Sequence, residues 1–256
     1  MPEPRTIADA LGDAVARRAA ITRFTADAEL DVETAYDAQW LGIQDRLAAG
    51  EQLSGLKLGL TSRAKQVTMG VDDPLYGWLT SGMLLDAADP LPLDRWIHPR
   101  VEPEIAFVMG AELTGPASIA DVLAATAGVT AALEVIDSRY ADFSFRLPDV
   151  VADNASAAGY VVGPRLRPVA ELEDLRLLGC VLRRDGEVVH TAAGAAVMGH
   201  PAAAVAWLAG RLAASGRSIP AGAIVLSGAL TDAVPLAPGA TVTAELEGLG
   251  TIEVRA

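Results

Sequence analysis

Three glutamates in the middle of the chain have the residue types and spacing for chemistry. Glu102 and Glu104 stand two residues apart in the run 98–109, which is otherwise written like a strand. Their side chains should therefore leave the same face of a sheet, roughly 6 to 7 Å apart at the backbone. Glu134 is the single charge in the apolar run 129–136, which is typical of a buried strand. A buried carboxylate needs a cation or a proton nearby.

Spacing alone leaves two interpretations of these carboxylates open. In the first, the two glutamates of the run 98–109 line the solvent face of an edge strand, which Pro103 favours because it cannot donate to a ladder. Glu134 would then form an ion pair with Arg100 or Arg139. In the second, the two strands come together, and three carboxylates without His or Cys form an all-oxygen site that suits Mg²⁺ or Mn²⁺.

Lys57 is the second residue type that points to chemistry. Of the 20 basic residues only Lys57 and Lys65 are lysines, and the rest are arginines. Lys57 lies among leucines in an alternating run that predicts a strand over 53–61. A lysine kept in such a place indicates a need for a movable ammonium group or a tunable pKa.

The composition excludes several classes of protein. A formal charge of −13 disfavours nucleic acid as a partner, because phosphate binding depends on clustered Lys and Arg. The single cysteine, Cys180, rules out an intramolecular disulfide and a cysteine-based zinc site, and it favours a reducing, cytoplasmic setting. The sequence shows neither an export signal nor an apolar run long enough to cross a membrane, so we expect a soluble protein.

Helices dominate the N-terminal part of the predicted fold. Apolar periodicity predicts a helix over 6–20, with Thr6 as its N-cap, and a second helix over 32–49 that stops before Gly50. The segment 62–93 is rich in turn signals and is predicted to be mostly loop.

Strands dominate the rest of the chain. Ser118 and Asp121 form a variant capping box at the start of a helix, and residues 137–157 are irregular and polar. The pair Asp185-Gly186 predicts a hairpin, and Pro201 begins the last helix. Short strands close the chain. The pattern predicts an α+β fold with a folded-over β core.

Several segments form a combination more specific than any single motif: Gly55–Ser62, Gly70–Pro74 with Tyr76-Gly77, His98–Phe107, Ala132–Tyr140, Leu147–Asn154, Gly199–Pro201 and Leu226–Leu230. This combination resembles the 2-oxopent-4-enoate hydratase and 4-oxalocrotonate decarboxylase family, within the fumarylacetoacetate hydrolase superfamily. The resemblance covers essentially the whole chain. It implies a mixed β-roll catalytic domain over 53–256 behind a helical N-terminal region over 1–52.

The resemblance also implies a site. Glu102, Glu104 and Glu134 would hold a divalent metal, Mg²⁺ or alternatively Mn²⁺, and Lys57 would be the catalytic lysine. Members of the family act on small 2-oxo acids, and a bound metal would act on them as a Lewis acid. The residues expected to line the substrate pocket are Thr61, Ser62, Leu75, Asp153, Asn154 and Ser156.

Leu75 favours one branch of that family. Hydratases of the family carry an acidic residue in the segment that here reads Pro74-Leu75-Tyr76-Gly77, and a leucine can neither orient water nor transfer a proton. The expected activity is therefore decarboxylation of 4-oxalocrotonate (2-oxohex-3-enedioate) to 2-hydroxypenta-2,4-dienoate in the meta-cleavage degradation of aromatic compounds. The alternatives are a hydratase that forms 4-hydroxy-2-oxopentanoate and a non-catalytic partner subunit. The resemblance also implies a homo-oligomer, in some cases complexed with a homologous hydratase.

Overall fold

The computed structural model describes the backbone of residues 1–256 and all side chains except those of Lys65, Thr68 and Met69. Its architecture confirms the α+β prediction. The helices are α1 (Pro4–Arg17), α2 (Val32–Ala48), α3 (Arg63–Met69), α4 (Ile119–Ala125), α5 (Leu147–Ala152) and α6 (Pro201–Ala213). The strands are β1 (Leu53–Gly59), β2 (Leu75–Thr80), β3 (Arg100–Met109), β4 (Thr126–Ile136), β5 (Ala157–Val162), β6 (Gly179–Arg184), β7 (Glu187–Ala193), β8 (Ile224–Ala229), β9 (Val234–Pro235), β10 (Thr241–Leu246) and β11 (Gly250–Arg255).

Two sheets form the β core. The larger has seven strands in the order β2-β1-β8-β3-β4-β5, with β9 also pairing with β3. The smaller is antiparallel, in the order β11-β10-β6-β7. Its apolar residues share one cluster with β3, β4 and α6, so the larger sheet has one face packed on this core. The opposite face of the larger sheet remains for the site.

The N-terminal helices pack around a second apolar cluster. Ile7 and Leu11 of α1 and Ala35 and Ala38 of α2 contact residues of α5 there. Asp31 caps α2, because its side chain accepts a hydrogen bond from the Thr34 backbone N–H at 2.7 Å. No helix in the described chain is long and apolar enough to cross a bilayer. The boundary between residues 52 and 53 stays a prediction.

Three local expectations were wrong. Helix α1 begins at Pro4 without a side-chain cap, so Thr6 is not its N-cap. Strand β2 lies within the predicted loop 62–93. All six of its residues are buried, so it has no alternation to reveal it, and Gly77 within it reads as a turn signal. Within the predicted irregular segment 137–157, residues 147–152 form α5.

Pro103 does not mark an edge strand. Strand β3 is central, between β4 on one side and β8 and β9 on the other. The pairing of β3 with β8 ends at Glu104, and β9 pairs only with Arg100 and Val101. Pro103 falls in this break, where its carbonyl accepts from Leu230 N at 2.9 Å. The proline therefore interrupts no regular ladder bond.

Candidate active site

The three glutamates converge on one face of the larger sheet. Glu102 of β3 lies directly opposite Glu134 of β4 in the antiparallel register, and Glu104 follows two residues later on the same face. One carboxylate oxygen from each residue lies within 4.8 Å of those of the other two. Glu104 and Glu134 are fully buried, and Glu102 is 7% exposed. The sheet thus concentrates three acidic groups away from bulk water.

Lys57 reaches this cluster from β1, which is separated from β4 by β8 and β3. Three strand spacings amount to about 14 Å in a flat sheet, so the sheet must curl to bring the two side chains together. Lys57 Nζ lies 3.0 Å from Glu134 Oε1 and donates to the Ala155 carbonyl, also at 3.0 Å. Leu226 and Ala106 lie beside Lys57 in the cross-strand register.

The ion-pair partner of Glu134 is therefore Lys57. The alternative in which Glu134 pairs with Arg100 or Arg139 is wrong. Arg139 instead makes a buried ion pair with Asp153, and its guanidinium also donates to the Asp137 carbonyl at 2.6 Å.

Among the described side chains, three carboxylates and one ammonium give a formal charge of −2, and the pKa values reflect it. Burial opposes a charge on Lys57, but the three carboxylates outweigh burial and raise the pKa of its ammonium group. Burial, reinforced by the other two carboxylates, raises the pKa of Glu104 well above its ordinary value. Burial also raises the pKa of Glu134 to about 7, although Lys57 opposes this shift. Among the described residues of the site, negative side chains outnumber positive ones.

The cluster fits a divalent cation. Glu104 Oε1 and Glu134 Oε2 are buried and accept no hydrogen bond from any described residue, and Glu134 Oε1 has only its ion pair with Lys57. Buried polar atoms without such partners are uncommon and call for an explanation. Three carboxylates are hard oxygen donors, and a charge of +2 would balance the formal charge of −2.

Gly228 of β8 binds the other carboxylate oxygen of Glu104. Its backbone N–H donates to Glu104 Oε2, and its φ of 112° lies in the region that favours glycine. A Cβ at this position would stand 2.1 Å from Thr61 Oγ1. Thr61 is thereby placed beside the residue that holds Glu104, and it is 3% exposed.

Leu75 lies near the lysine end of the site, and Ser62 follows Thr61 in the chain. A Cβ on Gly59 would stand 2.9 Å from Leu75 Cδ1 and 4.0 Å from Lys57 Nζ, so the leucine side chain and the ammonium group both lie close to Gly59. Ser62 is half-buried just before α3, where its carbonyl accepts from Gln66 N at 3.0 Å.

The segment 153–156 contacts Lys57 through a backbone carbonyl group. Ala155 supplies the carbonyl that accepts from Lys57, and Ser156 Oγ lies 3.4 Å from Asp153 Oδ2. Asn154 donates to the Trp78 carbonyl and accepts from Trp78 N, at 2.9 and 2.8 Å.

Asp153 and Asn154 also face away from the glutamates. Burial raises the pKa of Asp153 to about 6 although Arg139 opposes it. Both residues line a cavity of about 340 Å³ beneath α1 and α2, and neither Lys57 nor the glutamates line that cavity. A substrate-binding role for these two side chains, as for Thr61, Ser62, Leu75 and Ser156, stays a prediction.

Two contributors to the site were not identified from the sequence, the Gly228 N–H and the Ala155 carbonyl. Both are backbone groups, which carry no signature of residue type. Gly228 had one available signal, since a glycine inside a strand pattern indicates a close approach of another group.

Comparison with known proteins agrees with this geometry. The profile of the fumarylacetoacetate hydrolase C-terminal family matches residues 55–256. The chain belongs to the fumarylacetoacetate hydrolase family.

The similar proteins include 4-oxalocrotonate decarboxylases and 2-keto-4-pentenoate hydratases. The chain is 47% identical to a 4-oxalocrotonate decarboxylase of Pseudomonas sp. strain CF600, over 86% of this chain and 84% of the relative. It is 43% identical to a 2-keto-4-pentenoate hydratase of Paraburkholderia phymatum, over 88% and 86%. The solved 4-oxalocrotonate decarboxylase of Pseudomonas putida G7, complexed with magnesium and adipate, superposes with a TM-score of 0.94 at 42% identity, covering 98% and 96% of the two chains.

Proposed function

We propose that this protein is a Mg²⁺-dependent decarboxylase of 4-oxalocrotonate (2-oxohex-3-enedioate). The observation that carries the proposal is the convergence of three buried glutamates and Lys57 on one face of the sheet. The similarity to a decarboxylase of known structure that binds magnesium and a six-carbon dicarboxylate supports the same assignment.

Glu102, Glu104 and Glu134 are the residues that would hold the cation, with Mn²⁺ as the alternative to Mg²⁺. A divalent cation bound there supplies Lewis-acid polarisation of the 2-oxo group of the substrate. The Gly228 N–H holds one oxygen of Glu104, which leaves its other oxygen for the cation. The buried setting excludes water and strengthens each electrostatic contact.

Lys57 would control the charge that develops during the reaction. Loss of C6 as CO₂ leaves the electrons of the C5–C6 bond, which delocalise through C4 and C3 onto the 2-oxo oxygen. One proton on that oxygen gives 2-hydroxypenta-2,4-dienoate. The raised pKa keeps Lys57 an ammonium with three N–H donors, of which Ala155 and Glu134 engage two. The third can stabilise this oxygen or protonate it.

Leu75 favours decarboxylation over hydration. A hydratase must hold a water molecule against the vinyl group, whereas the decarboxylase needs no water. The buried leucine next to Gly59 presents only apolar atoms near the ammonium group of Lys57. The observation that favours hydration is the 43% identity to a hydratase. Hydration of 2-oxopent-4-enoate is therefore the second candidate activity.

The deciding experiment is incubation of the purified protein with 2-oxohex-3-enedioate and Mg²⁺, with CO₂ release followed directly. We expect CO₂ and the dienol from the wild type and a loss of at least a hundredfold for Glu104→Gln. The exposed Glu187 supplies the matched control Glu187→Gln, which should keep full activity. Water addition to 2-hydroxypenta-2,4-dienoate without CO₂ release would instead establish the hydratase.

A non-catalytic partner subunit is the candidate from another class. The four intact charged groups at the site argue against it, and an inactive Glu104→Gln protein that still associates with its partners would separate activity from assembly. A homo-oligomer, a complex with a homologous hydratase and a cytoplasmic location remain parts of the proposal, each open to test by measurement of mass and by fractionation.

A further inference from the structure

Arg100 stands on the same strand face as the glutamates. It is the first residue of β3, two positions before Glu102, so the side chains of Arg100, Glu102 and Glu104 alternate onto one face at intervals of about 7 Å. Across the strands Arg100 lies opposite Ile136, just as Glu102 lies opposite Glu134. The positively charged side chain of Arg100 therefore lies next to the acidic cluster along this strand face.

The guanidinium of Arg100 is half-buried and forms no ion pair with any described carboxylate. Its only described contact is with the ring of Phe143, whose centroid lies 4.1 Å from Arg100 Cζ. The other arginine of this region, Arg139, is bound by Asp153 and by backbone carbonyls. An arginine without a carboxylate partner, in a protein with 33 acidic residues, can accept an anionic ligand.

The contact with Phe143 restrains that guanidinium. An aromatic ring accepts no conventional hydrogen bond from the N–H donors, so they stay available for a carboxylate. Phe143 has a φ of 53° and the preceding Asp142 a φ of 57°, which non-glycine residues rarely adopt. Such strained backbone occurs preferentially at binding sites. The ring of His98, 4.7 Å away between centroids, supports Phe143.

We propose that Arg100, positioned by Phe143, binds the second carboxylate of a dicarboxylic 2-oxo acid whose 2-oxo end lies at Lys57 and the glutamates. The inference rests on the proposed function and deepens it by assigning the distal end of the substrate. Terminal carbons of an extended six-carbon chain are roughly 6 Å apart, estimated from backbone bond lengths, which is close to the spacing of Arg100 and Glu102 on the strand.

The chemistry determines which kinetic constant this residue affects. The distal carboxylate of 2-oxohex-3-enedioate leaves as CO₂, so its negative charge disappears during the step. A contact that is strongest before the reaction lowers KM without raising kcat. Arg100 therefore selects dicarboxylates over monocarboxylates and does not accelerate the chemistry.

Calorimetric titrations of the Mg²⁺-loaded protein with adipate and with hexanoate test this assignment. The wild type should bind adipate at least tenfold more tightly than hexanoate. Arg100→Gln should remove this preference and leave hexanoate binding unchanged, and Arg100→Lys should retain part of it. Phe143→Leu should reduce the preference severalfold. Arg165→Gln makes the same change of charge in a surface loop and should behave like the wild type.

Two results would overturn the inference: equal binding of adipate and hexanoate by the wild type, or an unchanged preference in Arg100→Gln. CO₂ assays on the same proteins separate this failure from that of the proposed function. If the wild type releases CO₂ but Arg100→Gln still prefers adipate, only the role of Arg100 is refuted. A lost preference in a protein that releases no CO₂ would support the dicarboxylate site and refute the decarboxylase. For an active wild type, kcat in Arg100→Gln should stay within about threefold while KM for 2-oxohex-3-enedioate rises at least tenfold.

Discussion

Competition between protons and Mg²⁺ should make metal binding to the three glutamates depend steeply on pH. In the metal-free protein, burial raises the pKa of Glu134 to about 7. A group with that pKa is about 10% ionised at pH 6 and about 90% ionised at pH 8. If only the ionised carboxylate binds, the apparent affinity falls about tenfold from pH 8 to pH 6, or about 1.4 kcal/mol.

Glu104 adds to this effect in the same direction, because burial and its acidic neighbours also raise its pKa. The total change should therefore be at least tenfold. Isothermal titration of Mg²⁺ into metal-free protein, in two buffers of different ionisation enthalpy at each pH, measures both the Kd and the protons released. A Kd that changes less than twofold between pH 6 and pH 8, or binding without proton release at pH 6.5, would refute the reasoning.

The same pKa shifts fix the sign of the stability change. The folded protein keeps a proton on Glu134 over a pH range in which the unfolded chain has lost it. Folding therefore binds protons, and the free energy of unfolding of the metal-free protein should fall as pH rises from about 4.5 to about 7. Mg²⁺ binds the ionised form, so the increase in unfolding temperature on adding Mg²⁺ should grow over the same range.

Three substitutions make further predictions. Gly228→Ala should cost about 1–3 kcal/mol of unfolding free energy in denaturant titrations, because of its φ and its contact with Thr61. Asp153→Asn should cost about 3–5 kcal/mol in the same assay, because it leaves the buried Arg139 without its carboxylate. Lys57→Met should lower the rate of CO₂ release at least a hundredfold and tighten Mg²⁺ binding, because it removes the positive charge that Lys57 places beside the carboxylates.

Matched variants control these measurements. Gly222 also has a positive φ, of 81°, but a Cβ there meets no described atom within 4 Å, so Gly222→Ala isolates the strain from the contact. Equal losses for the two glycines would contradict the role of the contact with Thr61. Asp13 forms an exposed pair with Arg17, and Asp13→Asn should leave the unfolding midpoint unchanged. A Lys57→Met protein that keeps a tenth of its activity would exclude the lysine from the chemistry.

The arrangement of the glutamates could be predicted from the sequence because it depends on strand periodicity. Side chains two residues apart in one strand lie on the same face of the sheet, and a lone charged group in a buried strand needs a partner. Neither rule identifies that partner. Spacing offered Arg100 or Arg139 as one alternative for Glu134. The curl of the sheet instead brings Lys57 from the far side of two intervening strands, and such a contact is set by tertiary structure.

Other features depend on interactions that a local pattern does not record. Strand β2 has two buried faces and therefore no alternation, so its residues resembled a loop. Pro103 lies in a central strand because a break in pairing falls at its position, which no single strand pattern can predict. The Ala155 carbonyl acts through the backbone, and residue type says nothing about it.

The most direct test of the account is a crystal structure of the protein grown with Mn²⁺, whose anomalous scattering locates the ion. The account predicts one strong peak among the carboxylates of Glu102, Glu104 and Glu134, with oxygen atoms at about 2.1 Å and Lys57 beside it. Glu104→Gln should weaken or abolish this peak. An ion held by other residues, or no peak among the three glutamates at saturating Mn²⁺, would contradict the central claim.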